Sequence, residues 1–444
     1  MEPPEQAGWN PFARIAFRFC FVYFGLYCVI QPMFVLVLLG GMAFQLPTDL
    51  LMWQHTALGP GLAWVGRTVF GVDAAWHSSG SGDQTIDWVL EFCLLVFAVV
   101  VTAAWTALDR RRADYQRLAG WFLLFLRLSV AGQMLFYGFA KAIPTQMFEP
   151  GLSTLLQPYG NLAPFAVLWN QVGSSQPYEI LLGCAEILGG LLLLVPRTAI
   201  LGAMLSLVSM AQVFVLHMTF DVNVKLHSAH LMLMGLVLLA PHAKRLTEAL
   251  VLDRQPGPAT VPDPFRTPRS HRIAALVQVA LALWISGSLA FFQWDGWRQY
   301  GSGRPKPPLY GIWTVQEFTR DGQPLPPLLT DENRWQRIVF DYPGIMEYQR
   351  MDGTLVPAAL QVDTRAHRLE LQTAPAPVTL RPVRPQQQPI SVGAFIFQQP
   401  APDRLRLEGE FNGHPVTVTL ERFDADTFPQ RSRGFHWVQD YGVS

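Results

Sequence analysis

The sequence predicts an α-helical integral membrane bundle of seven transmembrane helices, followed by an all-β extracytoplasmic barrel or sandwich. Three observations lead there. Of 444 residues, 50% are hydrophobic and only 15% are charged, against about 25% charged in soluble domains. The deficit is concentrated before Trp294, where long apolar runs follow one another. After it, the chain turns to short aromatic and β-branched stretches of period two, separated by turn residues.

A helix crosses a bilayer with about 20 apolar residues. Runs of that kind lie at 17–44, 86–108, 118–142, 177–196, 198–220, 223–241 and 273–294. The first exceeds the roughly 7–15 residues of a signal-peptide core and is expected to be retained. Lys and Arg in short loops set orientation. Arg14 and Arg18, the group Arg110, Arg111, Arg112 and Arg117, then Arg197, and finally Lys244 to Arg272 all fall on one side. The opposite loops hold Arg67 alone. The expected location is a cell inner (plasma) membrane, multi-pass, with a cytoplasmic N-terminus and a periplasmic C-terminal domain. The Trp-rich stretch within 45–85 and the segment after the third run are expected along the outer interface. Residues 247–270 read as a Pro-rich linker. Residues 1–296 thus form the membrane domain and 305–444 the β domain.

In the β domain, strands are expected at "YGIWTVQEF", "RWQRIVFDY", "IMEYQRM", "AALQVD", "HRLELQ", "GAFIFQQ", "DRLRLEGEF", "HPVTVTLER" and "GFHWVQ". Asp352-Gly353 and Asn412-Gly413 supply hairpin turns between them. Eight or nine strands in sequence order suggest an up-and-down barrel or a sandwich, with Trp313, Phe340 and Phe397 as interior candidates. "PVRPQQQP", at 382–389, reads as a flexible loop. Gly311-x-Trp313 resembles the opening of lipocalin-like barrels.

Zero net charge argues against a nucleic-acid partner. The four cysteines sit singly in apolar runs, and no metal-ligand spacing occurs. The chemistry-bearing residues are instead the ionisable groups inside the apolar runs. Such groups are expensive in a bilayer and normally face the bundle with a partner. Counted at about 1.5 Å per residue from the cytoplasmic ends, Arg127 and Glu186 match at roughly 14–15 Å and are expected to pair. His230 lies at a similar depth, and Gln212 and His227 somewhat beyond. Lys141, His217, Lys225, Glu91 and Glu179 lie nearer the outer face. Arg127, Lys141, Glu186, Gln212, His217, Lys225, His227 and His230 are therefore expected to converge in one polar column. The competing reading makes Arg127–Glu186 a packing pair and lets the lysines snorkel to head groups.

The stretches "FLRLSVAGQMLFYGFAKAI" and "YEILLGCAEILGGLLLLVPRTAILGAML", with the hairpin "LHMTFDVNVKLHSAH", resemble the DoxX family over residues 118–241. The matching positions are Arg127, Gly138 with Lys141, Glu186 with Gly189-Gly190, and Arg197. The resemblance implies a component of a membrane redox system with a quinone-type ligand, in contact with the lipid bilayer and with redox-complex subunits. Whether such a component is itself catalytic, as an oxidoreductase subunit, is left open by the resemblance. The alternative is a non-catalytic anchor whose β domain binds a lipid, an envelope component or a protein.

Overall fold

The computed structural model describes residues 9–77, 79–255, 257, 261–373 and 390–439. The loop expected at 382–389 lies outside the described residues. The chain divides into two compact units, Met1–Met147 with Gln176–Tyr300, and Phe148–Ser175 with Gly301–Ser444.

Among the described residues of the first unit, seven helices are long and apolar enough to cross a membrane. They are α1 (Pro11–Ile30), α2 (Thr85–Leu108), α3 (Gln116–Ala142), α4 (Gln176–Leu194), α5 (Ala199–Thr219), α6 (Lys225–Leu250, with a 3-10 turn at Ala240–His242) and α7 (Pro268–Gln299). Their starts are written in the sequence. The Asn10 side chain accepts from Ala13 N ahead of Pro11. Gln84 and Asp87 form a capping box on α2. Thr267 and Ser270 do the same on α7, with Pro268 at the first helical position.

The first expected span is not one helix. It stops at Ile30, before Gln31-Pro32, and resumes as a short helix at Met33–Leu36 and a 3-10 segment at Val37–Gln45. Pro32 cannot donate to the preceding turn. Gly40, at φ +64°, turns the chain where Ser288 of α7 comes close. The Pro-rich linker is also shorter than expected, because residues Ala243–Leu250 are helical and α7 already begins at Pro268.

Glycines set the helix crossings. Added methyl groups at Gly138 and Gly183 would meet Ile187 N at 2.8 Å and Gly138 O at 2.6 Å. At Gly190 the obstacle is Ala131 O at 3.0 Å, so α4 lies backbone-close on α3. Gly189 and Gly202 bring α5 against the other side of α4. Leu126, Val130, Met134, Leu135, Leu193 and Leu194 fill the interior around this crossing.

The second unit is a closed antiparallel barrel. Strands β1 (Gly311–Arg320), β3 (Trp335–Phe340), β4 (Ile345–Arg350), β5 (Leu355–Asp363), β6 (Arg368–Thr373), β7 (Ser391–Ala401), β8 (Arg404–Phe411) and β9 (His414–Phe423) pair in sequence order, and β2 (Gln323–Pro324) is a short spur on β1. β1 also pairs with β9, Ile312 opposite Phe423 and Phe318 opposite Val418. Closure removes the exposed edges of the sheet. It also explains why "GFHWVQ" is not a strand, since β1 and β9 have used each other's free edge. Gly353 and the pair Asn412-Gly413 take the positive φ their hairpins require. Trp313, Phe340 and Phe397 are interior as expected, in a core with Trp335, Phe395 and Leu407. The segment Phe148–Ser175 belongs to this unit: Leu152 N donates to Asp341 Oδ2 at 2.8 Å, and Leu152 packs on Ile312 and Val339.

Burial, with Asp341 adding repulsion, pushes the Glu347 carboxyl on β4 above the usual carboxylate range. A raised native value contributes stability that is full below the unfolded pKa and lost as pH rises through the native one. Glu347→Gln should therefore raise amide-exchange protection factors of β4 and β5 at pH 7.5 in the full chain. The gain should vanish near pH 4, about where an unperturbed Glu titrates. Equal protection in the two proteins at pH 7.5 would contradict this.

Candidate functional site

The buried polar groups of the helical unit form a continuous array toward the end of the bundle that carries the α5–α6 hairpin. It begins at the α3–α4 crossing. Lys141 Nζ donates to Glu186 Oε2 at 2.8 Å, with the two residues only 5% and 3% exposed. Seven residues before Glu186, on the same face of α4, Glu179 is fully buried. Its Oε1 accepts from Met147 N at 3.1 Å, while its Oε2 has no partner among the described residues. Lys141 also stands over the Tyr137 ring, 5.6 Å from its centroid.

From Tyr137 the array passes to α6. The His227 ring lies 5.6 Å from Tyr137 and 5.1 Å from Phe34. Its Nε2 is buried without a hydrogen-bond partner among the described residues. Phe34 meets Tyr27, and Tyr27 lies flat on His230 at 3.7 Å between centroids. His230 Nδ1 is 2.7 Å from Leu226 O, which can only accept, so Nδ1 carries a hydrogen. His230 Nε2 then faces two groups, Tyr23 Oη at 2.8 Å and Glu91 Oε1 at 3.3 Å, and Tyr23 and Glu91 are themselves hydrogen-bonded.

That geometry serves two protonation states. With His230 neutral, Tyr23 donates to Nε2 and Glu91 carries the proton. With His230 charged, Nε2 donates to Glu91 and Tyr23 donates to the same carboxylate. Tyr23, Glu91 and His230 can thus hold and pass one proton without rearrangement.

Two expected members fall elsewhere. Arg127 does not pair with Glu186; its Nη2 donates to Gln278 of α7. Matching depths from helix ends assumed that α3 and α4 end level. Gly183 instead sits against Gly138, Lys141 and Ala142, which places Glu186 beside Tyr137 and Lys141. Arg127 is fourteen residues from Lys141, about 21 Å along the helix. Gln212 is exposed on the opposite wall of α5 from buried Met210 and Ser206. Two residues on a helix are separated by about 200°, and depth carries no information about azimuth.

His217 and Lys225 lie at the hairpin itself, in structural roles. His217 Nδ1 is 3.0 Å from Ser228 Oγ. Lys225 Nζ pairs with Asp221 at 2.8 Å and approaches Asp83 at 3.9 Å. Asp83 caps α6, accepting from Lys225 N at 2.6 Å and Leu226 N at 3.0 Å, where the helix dipole favours an anion. Gly82 N donates to Asn223 O and so fastens the preceding loop to the hairpin turn.

Tyr23 and Tyr27 escaped selection from the sequence, and Glu91 was placed near the outer face but not in the column. The available signals were Tyr23 and Tyr27 at i and i+4, on one face of an apolar helix, and Glu91 as a carboxylate inside the apolar run of α2.

Among known proteins, no family model matches the chain, and no solved structure matches it. It is 33% identical over 129 residues to the uncharacterized protein YwoB of Bacillus subtilis, an alignment that spans 29% of this chain and 79% of that protein.

Proposed function

The chain belongs to the family of Bacillus subtilis YwoB, and from that premise we propose that it is a multi-pass membrane component of a redox system that holds a quinone-type lipophilic ligand at the polar array. The observation that carries the reading is His227 Nε2. It is a buried polar atom with no partner among the described residues, set between the Lys141–Glu186 pair and the Tyr23–Glu91–His230 group. A buried polar atom left unpaired costs about 1–3 kcal/mol. A carbonyl oxygen of a ligand head group would satisfy it.

The residues present suit such a ligand. His227 donates to one carbonyl oxygen, while the rings of Phe34 and Tyr137 border it as apolar walls. A quinone supplies a two-electron, two-proton couple, its electrons exchanged with a redox partner subunit. Tyr23, Glu91 and His230 hold and release a proton beside it, and Glu179 and Glu186 bracket Lys141 on the other side. The resemblance to DoxX proteins, carried by Gly138, Lys141, Glu186 and Gly189-Gly190, points the same way. So does the cost of burying so many ionisable groups in apolar helices unless they serve a function.

The basic residues at the opposite end of the helices favour a cytoplasmic N-terminus in a bacterial inner membrane. An odd number of crossings then puts the barrel on the periplasmic side.

Mass spectrometry of small molecules retained after mild detergent extraction tests the reading. A quinone is expected to co-purify, and its occupancy to fall at least about tenfold in His227→Ala/His230→Ala, the loss of roughly 1.4 kcal/mol or more of binding. If neither the extracted protein nor protein incubated with ubiquinone or menaquinone retains it, the redox reading is wrong. The chain is then better understood as an anchor that presents the β barrel.

A further inference from the structure

At the end of the bundle remote from the hairpin lies a cavity of about 690 Å³ that the polar array does not use. It exists because α4 stops at Leu194 while α3 continues past it through Arg127. The space is bounded by the α4–α5 turn, the lower parts of α3 and α7, and the strap Val261–Phe265. The strap is held in place: Pro264 lies against Gly120, Phe265 meets Trp121 edge-on at 5.5 Å, and Asp263 pairs with His271 at 3.4 Å.

Three guanidiniums, Arg127, Arg197 and Arg272, border the cavity together with His242 and His271, and Asp263 is the acidic side chain among them. Among the described residues, no carboxylate lies within 4.0 Å of any of the three guanidiniums. Loop arginines at this end follow from the general bias of membrane-protein loops. That bias does not explain Arg127, which lies eleven residues inside α3, about 16 Å along it. Its Nη2 is held by the neutral amide oxygen of Gln278, and its Nε is buried with no partner among the described residues. Among the described residues, His242 Nδ1 is likewise buried and unpaired. A guanidinium in an apolar bundle without a counter-charge is costly. This one is oriented and borders a space large enough for a ligand head group. Leu124, Ile200 and Val279 give the same cavity apolar walls.

We propose that this cavity binds a phosphate group, held by Arg127 with Arg197 and Arg272. Guanidinium groups bind phosphate oxygens through paired, charge-assisted hydrogen bonds. The apolar walls suit a phosphate that carries acyl chains. A phospholipid head group and free inorganic phosphate share the recognised chemistry, and the experiment separates them.

The full chain, delipidated in detergent, is titrated with phosphatidylglycerol and separately with inorganic phosphate. Bound ligand is read by native mass spectrometry for the lipid and by calorimetry for phosphate. Arg127→Gln is expected to weaken binding at least about tenfold, as loss of a buried charge-assisted contact does. Arg197→Gln, in a turn where folding is not at stake, should weaken it severalfold. Arg110→Gln, away from the cavity, should leave it unchanged. Lipid binding with this pattern identifies a head-group site, and phosphate binding alone with this pattern identifies a site for the free anion. The proposal is overturned if neither ligand binds, or if Arg197→Gln and any folded Arg127→Gln bind as the unaltered chain does. His227→Ala/His230→Ala should bind phosphate or lipid normally, so the result is independent of the quinone test.

Discussion

Glu186→Ala should destabilise the helical unit by about 3–5 kcal/mol, the usual cost of leaving one partner of a buried ion pair behind. Lys141 would keep only the face of Tyr137 and the more distant Glu179. The double variant Lys141→Met/Glu186→Met should recover most of that loss, because two matched apolar side chains leave no uncompensated charge. Unfolding midpoints of the full chain in detergent, read by helical circular dichroism, measure both. A single variant as stable as the unaltered chain would mean that Lys141 reaches water or a lipid head group and that the pair is not a buried one. The double variant also separates architecture from chemistry. It is expected to be folded yet to retain less quinone-type ligand, since the cation and the carboxylate beside Tyr137 are gone.

Gly183→Leu should cost more than the about 1–3 kcal/mol typical of overpacking. A side chain there meets Gly138 O at 2.6 Å and Lys141 C at 2.9 Å, both main-chain atoms of a neighbouring helix. A flexible side chain can turn aside, whereas a helix backbone can only move as a body. The α3–α4 crossing must open, and the Lys141–Glu186 pair opens with it. Gly287→Leu on α7 is the control, because among the described residues no atom outside its own helical turn lies within 4 Å of the methyl position there. Expression level and unfolding midpoint should fall sharply for Gly183→Leu and stay near the unaltered chain for Gly287→Leu. Equal behaviour of the two would remove the close crossing from the account.

Period and length were enough to read the seven long helices and the strands β1 and β3 to β9 directly from the residues. Both features are local: an apolar run of about 20 residues, or a period-two alternation ended by Asn-Gly or Asp-Gly, needs no partner to be recognised. Where local signals competed with pairing, the sequence misled. Pro32 and Gly40 cut the first run into three pieces. "GFHWVQ" has strand character, but the barrel had already closed between β1 and β9.

The candidate site was legible as a set of residue types and only partly as a set of neighbours. Lys141, Glu186, His227 and His230 were visible because an ionisable group in an apolar run stands out at any position. Counting residues sets Lys141 nearer the outer face than Glu186, yet the two pair at 2.8 Å. Neither relative depth nor partner choice can be read from one helix alone, because they depend on the axial shift and rotation of each helix against the next. The glycines of α4 decide that shift, giving Glu186 to Lys141 and leaving Arg127 beyond the end of α4 to face a cavity. Rotation turns Gln212 outward and brings Tyr23 and Glu91, from two other helices, onto His230. The sequence by itself determined which ionisable groups sit within apolar runs and so need shielding, since transfer cost is a property of one chain segment. Which of them meet was decided only by the tertiary structure, since contact between helices is set by small-residue packing that no single segment contains.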